Sequence, residues 1–265
     1  MFKVSCLQVN SGKNIKENLN KVLKIVDDCI KEKSDLIITP ENTSIMASNK
    51  SELLSKVNVM EEDIFLKEFK KICKSNRKWI MLGSIIVKIS KDTLVNRSIL
   101  INPNGEVERF YDKIHMFDAR LSDKEKYNEQ DLFQPGNEIE IVDLPWGRLG
   151  MSICYDLRFP NMYRRMSQSG AKYFSIPSAF AETTGKKHWH TLLQARAIEN
   201  YCYVFAPAQI GQHTNGRKTY GHSMIISPDG KILDEKKTGE GYVSAKIDIQ
   251  LPYNLREKIP SLSLD

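Results

Sequence analysis

The chain has 265 residues, 41% hydrophobic and 27% charged. Those values belong to a globular protein and exclude a fibrous repeat or wholesale disorder. Apolar runs such as Ile85-Ile86-Val87 fall far short of the roughly 20 residues of a membrane span, and Met1-Phe2-Lys3-Val4-Ser5-Cys6 lacks a signal-peptide pattern. The net charge of +6 raises the question of nucleic acid, but the lysines alternate with acidic residues, as in Lys67-Glu68-Phe69-Lys70-Lys71, and no nucleic-acid motif accompanies them. The 5 cysteines are an odd number and show no Cys-x-x-Cys. That argues against a disulfide framework or zinc site, and for a reducing, cytoplasmic setting in which one cysteine is kept for its reactivity.

In chain order, Phe2–Val9 and Asp35–Thr39 read as strands around a helix from Asn14 to Lys33, whose Ile15, Leu19, Val22, Leu23, Val26 and Ile30 share one face. Asn14 and Glu17 resemble a capping box. A second helix is expected over Met60–Ser75, before a strand at Trp79–Val87. Ser98–Asn102 and Glu106–Tyr111 form a hairpin around Pro103-Asn104-Gly105. Ile139–Leu144 and Arg148–Ile153 repeat it around Pro145-Trp146-Gly147. Next come a helix near Asn161–Ser169 closed by Gly170, a strand at Tyr173–Ile176, a helix at His188–Asn200 and a strand at Tyr201–Ala206. A hairpin, Ser223–Ser227 with Lys231–Asp234, and a strand at Tyr242–Ile247 finish the chain.

No linker-like stretch divides residues 1–265, so a single domain is expected. There is a faint internal repeat. Ser98-Ile99-Leu100-Ile101-Asn102-Pro103-Asn104-Gly105 parallels Ser223-Met224-Ile225-Ile226-Ser227-Pro228-Asp229-Gly230, and Ile38-Thr39-Pro40-Glu41 parallels Ser175-Ile176-Pro177-Ser178. Turn chemistry alone also explains the hairpin match. If the repeat is real, two similar halves, each a sheet covered on one side by helices, pack as a four-layer α-β-β-α sandwich, an α/β fold in which both halves feed one cleft.

Cys154 stands out by position, at the end of an expected strand and shortly before a helix. Free backbone amides there favour a thiolate and can hold an oxyanion. A buried structural cysteine is the other reading. Glu41 directly follows an apolar strand, where α/β active sites collect, although a solvated loop Glu also fits. Lys113 follows a strand in Tyr111-Asp112-Lys113-Ile114-His115-Met116-Phe117-Asp118, and a surface lysine is the alternative. Gly-x-Ser-x-Gly, the P-loop and His-Glu-x-x-His are absent. His188 and His190 are two apart on an expected helix and point in different directions, which argues against a shared metal.

Several separated motifs, in order and covering nearly the full length, resemble the nitrilase superfamily of carbon–nitrogen hydrolases, and within it the Nit branch of amidases. They are Pro40-Glu41-Asn42, the Lys113 segment, Cys154-Tyr155-Asp156-Leu157-Arg158-Phe159-Pro160, Thr184-Gly185-Lys186-Lys187-His188-Trp189 and Gln194-Ala195-Arg196-Ala197-Ile198-Glu199-Asn200. The resemblance implies the α-β-β-α sandwich, a Glu41, Lys113 and Cys154 triad, a second glutamate at Glu129, and a homodimer or larger homo-oligomer. The family's Tyr-Arg-Glu-Ser is here Tyr127-Asn128-Glu129-Gln130, and its arginine-rich tail is replaced by Ser261-Leu262-Ser263-Leu264-Asp265.

The implied chemistry is hydrolysis of a small-molecule amide through a thioester on Cys154, with Glu41 moving protons and Lys113 and the Tyr155 N–H holding the oxyanion. It calls for no cofactor, metal, nucleic acid or membrane. Arg158, Phe180 and Thr184 are the expected substrate-binding residues. Arg158 either grips a substrate carboxylate or pairs with Asp156 to stiffen its loop. The branch includes amidases for deaminated glutathione and ω-amidases for α-ketoglutaramate. Ala206-Pro207-Ala208-Gln209 and the Arg196 segment look more like the former. A nitrile or N-carbamoyl substrate and a catalytically silent binding protein are the competing readings.

Overall fold

The structure is a computed structural model that describes residues 1–123 and 125–264. The first sheet is built from β1 (Phe2–Val9), β2 (Leu36–Ile38), β3 (Trp79–Lys88), β4 (Leu94–Ile101) and β5 (Val107–Asp112). Helices α1 (Ile15–Lys31), α2 (Lys50–Lys56) and α3 (Ile64–Asn76) interrupt this series. A two-stranded ribbon, β6 (Asp118–Arg120) and β7 (Lys126–Asn128), follows. The second sheet contains β8 (Ile141–Leu144), β9 (Gly147–Met151), β10 (Ala171–Ser175) and β11 (Tyr203–Ala206), with α4 (Pro160–Gln168) and α5 (Glu182–Asn200) between them. The chain then crosses back as β12 (Ala208–Gln212) and β13 (Lys218–Tyr220), adds β14 (Ser223–Ile226) and β15 (Ile232–Lys236) to the second sheet, and ends with β16 (Gly241–Ile247) and α6 (Leu251–Lys258).

Alternation along the central strands builds the layers. Val4, Cys6, Leu36, Ile38, Met81 and Leu100 join one core with Leu149, Met151, Phe174, Phe205 and Ile225 of the second sheet. Their sequence neighbours Leu7, Ile37, Ile80, Leu82, Ile99 and Ile101 join another core with Val22, Val26, Phe65 and Phe69 of α1 and α3. A period of two on each strand therefore feeds both the sheet–sheet layer and the helix layer. Met162, Tyr163, Trp189 and Leu193 bring α4 and α5 against the second sheet, so the layers run α-β-β-α as expected.

Several boundaries differ from expectation. Asp63 caps α3 by accepting the Leu66 N–H at 2.8 Å, so Met60–Glu62 becomes a separate 3-10 turn. Helix α5 starts six residues before His188. The Thr183-Thr184-Gly185 run reads as a helix breaker, but Gly185 serves close packing, since a Cβ there would lie 2.4 Å from the Tyr220 side chain. The halves are also not equivalent. After Pro207 the chain leaves the second sheet, and β12 pairs with β1 in parallel at Gln8 and Val9, while β16 pairs with β1 antiparallel. Helices α2 and α6 were not expected. Of the atypical tail, Ser261–Ser263 forms a 3-10 turn and Asp265 lies outside the described residues.

Candidate active site

The strand-Pro motifs of the two halves meet. A Cβ on Gly83 would lie 1.8 Å from the Thr39 carbonyl oxygen and 2.5 Å from the Pro177 side chain, so only glycine lets the two loops approach. At this junction Glu41 is fully buried. Its Oε1 accepts from Lys113 Nζ at 2.9 Å and Asn96 Nδ2 at 3.0 Å, and its Oε2 accepts from the Ala179 N–H at 2.8 Å. One half thus supplies the carboxylate and the other a backbone donor that orients it.

Lys113 leaves the end of β5, fully buried, and donates to Glu41 and, at 2.6 Å, to Glu129 Oε2. The Phe117 N–H donates to the same Glu129 oxygen at 2.9 Å. An ammonium has three donors, and two are committed here, which leaves one for a reacting oxygen. Burial disfavours the charged lysine, but Glu129 and Glu41 more than offset it and push its pKa well above the ordinary 10.5.

Cys154 follows β9 at φ +48, a left-handed conformation that a side chain rarely adopts, with its N–H donating to the Pro177 carbonyl at 3.0 Å. The backbone here bends sharply and sets the sulfur close enough to Glu41 to feel the carboxylate charge. A 3-10 helix, Cys154–Arg158, begins at Cys154, and the Tyr155 N–H lies in its first turn, where donors have no intrahelical acceptor.

One expectation is corrected at this point. The strand-end setting suggests a thiolate, but burial, and after it the Glu41 charge, push the Cys154 pKa well above 9.0, so the resting group is a thiol. Glu41 keeps its charge. Burial works against it, but Lys113 and then Arg217 hold its pKa below the ordinary 4.5. The pair is a neutral thiol beside an ionised carboxylate, not a preformed thiolate.

Asp156 ties the two central motifs together. It is fully buried and accepts from Tyr111 Oη at 2.7 Å, the His115 N–H at 3.1 Å and the Ile153 N–H at 2.8 Å, with His115 Nδ1 at 2.7 Å. Its bonds are therefore spent on the Lys113 segment and the Ile153 N–H, and Arg158 is not among its partners. Arg158 donates to His188 Nδ1 at 3.3 Å and lies over the Phe180 ring at 5.2 Å, and forms no ion pair among the described residues. Burial, then Arg158 and Lys187, hold the His188 pKa below 6.5, as suits an acceptor.

A narrow pocket over Cys154 is lined by Phe117, Tyr155, Arg158, Phe180, Thr184 and Arg217, among others. The structure thus brings Glu41, Lys113, Glu129, Cys154, Tyr155, Arg158, Phe180 and Thr184 into one region. It also adds Asn96, and Arg217, which sequence reasoning missed. The Arg217 guanidinium donates to the Ala179 carbonyl, lies over the Tyr127 ring at 5.1 Å, and also borders a broader cleft with Asn42, Glu129 and Asn215. It sits in the hairpin loop between β12 and β13, where Asn215-Gly216-Arg217 carries only a turn signal.

The carbon–nitrogen hydrolase family pattern matches residues 3–257. The deaminated glutathione amidase of Yersinia enterocolitica is 36% identical over 262 residues, 98% of this chain and 91% of that protein. The protein of the same name from Dictyostelium discoideum is 37% identical, over 96% of this chain and 90% of its own. The solved Caenorhabditis elegans NitFhit protein superposes at a TM-score of 0.93 with 33% identity, and covers all of this chain, which spans 65% of that longer one. The chain belongs to the carbon–nitrogen hydrolase family. Its fold is that of the nitrilase superfamily, of which Saccharomyces cerevisiae Nit3, 26% identical at a TM-score of 0.87 over 98% of this chain and 94% of that one, is a further example.

Cysteine reactivity gives a first test. Cys6 is fully buried in β1, and burial pushes its thiol pKa well above 9.0. Burial also raises the Cys154 pKa, but this thiol lines the pocket and lies near the Glu41 carboxylate. Iodoacetamide at neutral pH is expected to modify Cys154 well before Cys6, as read by peptide mass mapping. The opposite order would remove Cys154 as the reactive thiol.

Proposed function

We propose that the chain is a cysteine-dependent amidase that hydrolyses deaminated glutathione, acting through a thioester on Cys154. The observation that carries this reading is the buried bond of Glu41 with Lys113, at 2.9 Å, beside a Cys154 thiol that feels the Glu41 charge. Glu41 takes the thiol proton as Sγ attacks the amide carbon. The remaining Lys113 donor and the Tyr155 N–H hold the oxyanion. The C–N bond breaks as Glu41 returns the proton to the leaving amine. Water, deprotonated by Glu41, then attacks the thioester and releases the acid and the thiol. Glu129 holds Lys113 in place throughout. Lys113 and Arg217 balance the charges of Glu41 and Glu129, so no proton transfer among them leaves a net buried charge.

Deaminated glutathione and α-ketoglutaramate carry the same 2-oxo acid acyl group and pass through the same thioester, so they differ only in acylation. Arg158, half-buried on the pocket wall with no carboxylate partner among the described residues, suits the carboxylate of that shared acyl group. The polar cleft beyond Arg217 gives room for a peptide leaving group, which favours deaminated glutathione. The names of the Yersinia and Dictyostelium relatives support the same choice. A homodimer or larger homo-oligomer in the cytoplasm completes the proposal.

Product release from a panel of deaminated glutathione, α-ketoglutaramate, simple nitriles and N-carbamoyl compounds, with Cys154→Ala as control, tests the assignment. The expected kcat/KM is highest for deaminated glutathione. Faster turnover of α-ketoglutaramate would make the protein an ω-amidase, and activity only on nitriles or N-carbamoyl compounds would defeat both. Arg158→Ala is expected to raise KM for both 2-oxo acid substrates by roughly 10- to 100-fold, the worth of a charged hydrogen bond, with kcat little changed. An unchanged KM would place the carboxylate elsewhere.

A further inference from the structure

On the far side of α5 from Arg158, three side chains from separate elements converge. His190 comes from α5, His222 from the turn before β14, and Glu235 from β15. His190 Nε2 and His222 Nδ1 lie 2.8 and 2.6 Å from Glu235 Oε1, and the three atoms fall within 4.8 Å of one another. Their side chains are 32%, 21% and 14% exposed, so the cluster reaches solvent without lying loose on the surface.

The ring positions are fixed from behind. Tyr220 stacks on His222 at 4.1 Å, and Trp189 Nε1 donates to the His222 carbonyl at 2.9 Å. Two imidazoles and one carboxylate form a nitrogen-rich donor set that suits zinc and related ions and is poor for calcium or magnesium. A tetrahedral ion with bonds of about 2.0–2.1 Å holds its ligand atoms roughly 3.3 Å apart. The two His–Glu235 edges therefore need to open by only several tenths of an ångström, and the His190–His222 edge, no longer than 4.8 Å, needs to settle to the same length by side-chain rotation.

We infer that His190, His222 and Glu235 form a divalent transition-metal site, zinc-like in its ligands, with a fourth position open to solvent and no part in bond cleavage. A bound ion fastens α5 to the β14–β15 hairpin. The neighbouring residues of α5 face the substrate pocket: His188 accepts from Arg158, and Trp189 packs on Phe180 at 5.1 Å. Occupancy is therefore felt at the pocket wall, through KM and not through the acyl-transfer chemistry.

The test is titration with Co²⁺, followed by its visible d–d absorption, and competition with Zn²⁺. It uses the full chain carrying Cys154→Ser, so that the pocket thiol does not bind the ion. One ion per chain is expected, with a rise in Tm. His190→Ala and Glu235→Gln should each weaken binding by at least ~10-fold, the smallest loss seen when even an outer supporting group is removed. Thermal melting without metal shows whether each variant is folded, and His222→Asn is a third, conservative probe. Equal affinity in the parent and in folded His190→Ala, or no Co²⁺ binding by the folded parent, would overturn the assignment.

Discussion

Cys154→Ala is expected to reduce turnover by at least ~10⁴-fold, leaving only what the oxyanion donors and binding supply. The reason is specific to this geometry. Glu41 has its oxygens committed to Lys113, Asn96 and the Ala179 N–H, and in the proposed mechanism it moves protons and does not attack the carbonyl. Without the sulfur there is no covalent acceptor for the acyl group. The same experiment has a positive arm. Intact-mass spectrometry of the unmodified enzyme during turnover of a slow substrate should show an acyl adduct, mapped by digestion to Cys154. Normal turnover by Cys154→Ala, or an adduct on another residue, would rule out the thioester route.

Glu41→Gln is expected to lower kcat by at least ~10²-fold with little change in KM. The amide oxygen still accepts from Lys113 and Asn96, and Lys113 keeps Glu129, while the amide NH2 loses only the Ala179 N–H bond, so the base is removed with a small change in the pocket. A rise in KM alone would make Glu41 a binding residue. The pH profile of the unmodified enzyme gives an independent check. The Glu41 pKa is lowered from 4.5, so its required carboxylate form is lost only as pH falls below that value. The Lys113 pKa is raised above 10.5 and that of Cys154 above 9.0, so neither group changes charge near neutrality. The kcat/KM profile is therefore expected to be flat between about pH 5 and 9, where a thiolate–imidazolium pair would titrate. A bell centred near neutrality would contradict the thiol–carboxylate arrangement.

The layered fold was legible because each layer has a local signature. Val4 and Cys6 alternate with Leu7 and Val9, and Val22 and Val26 recur at helical spacing, so the two-sided burial of β1 and the inner face of α1 follow from the order of residues. Asn14 could be placed as a cap for the same reason, and it accepts from the Lys16 and Glu17 N–H groups. The crossing of β12 into the other sheet was not legible. Nothing local in Ala208–Gln212 distinguishes a partner in β1 from one in β14, and that choice is made by which edge is left unpaired.

The site divides in the same way. Glu41, Lys113 and Cys154 each follow a strand, which marked them as candidates beside structural alternatives, and the family resemblance joined them as a triad. Tertiary structure alone decided their states and companions. The protonation of Cys154 depends on burial and on a carboxylate 113 positions away, which no spacing rule reports. Arg217 and Asn96 reach Glu41 and its pocket from a hairpin loop and a strand with ordinary sequences, and Asp156 turns from Arg158 to Tyr111 and His115 because a buried carboxylate takes the donors that packing brings to it. His190, His222 and Glu235 converge through long-range contacts of α5 with the second sheet. A sequence fixes periodicity and turns by short-range sterics, whereas charge state and side-chain coordination are set by the electrostatics of groups that meet only after the chain has folded.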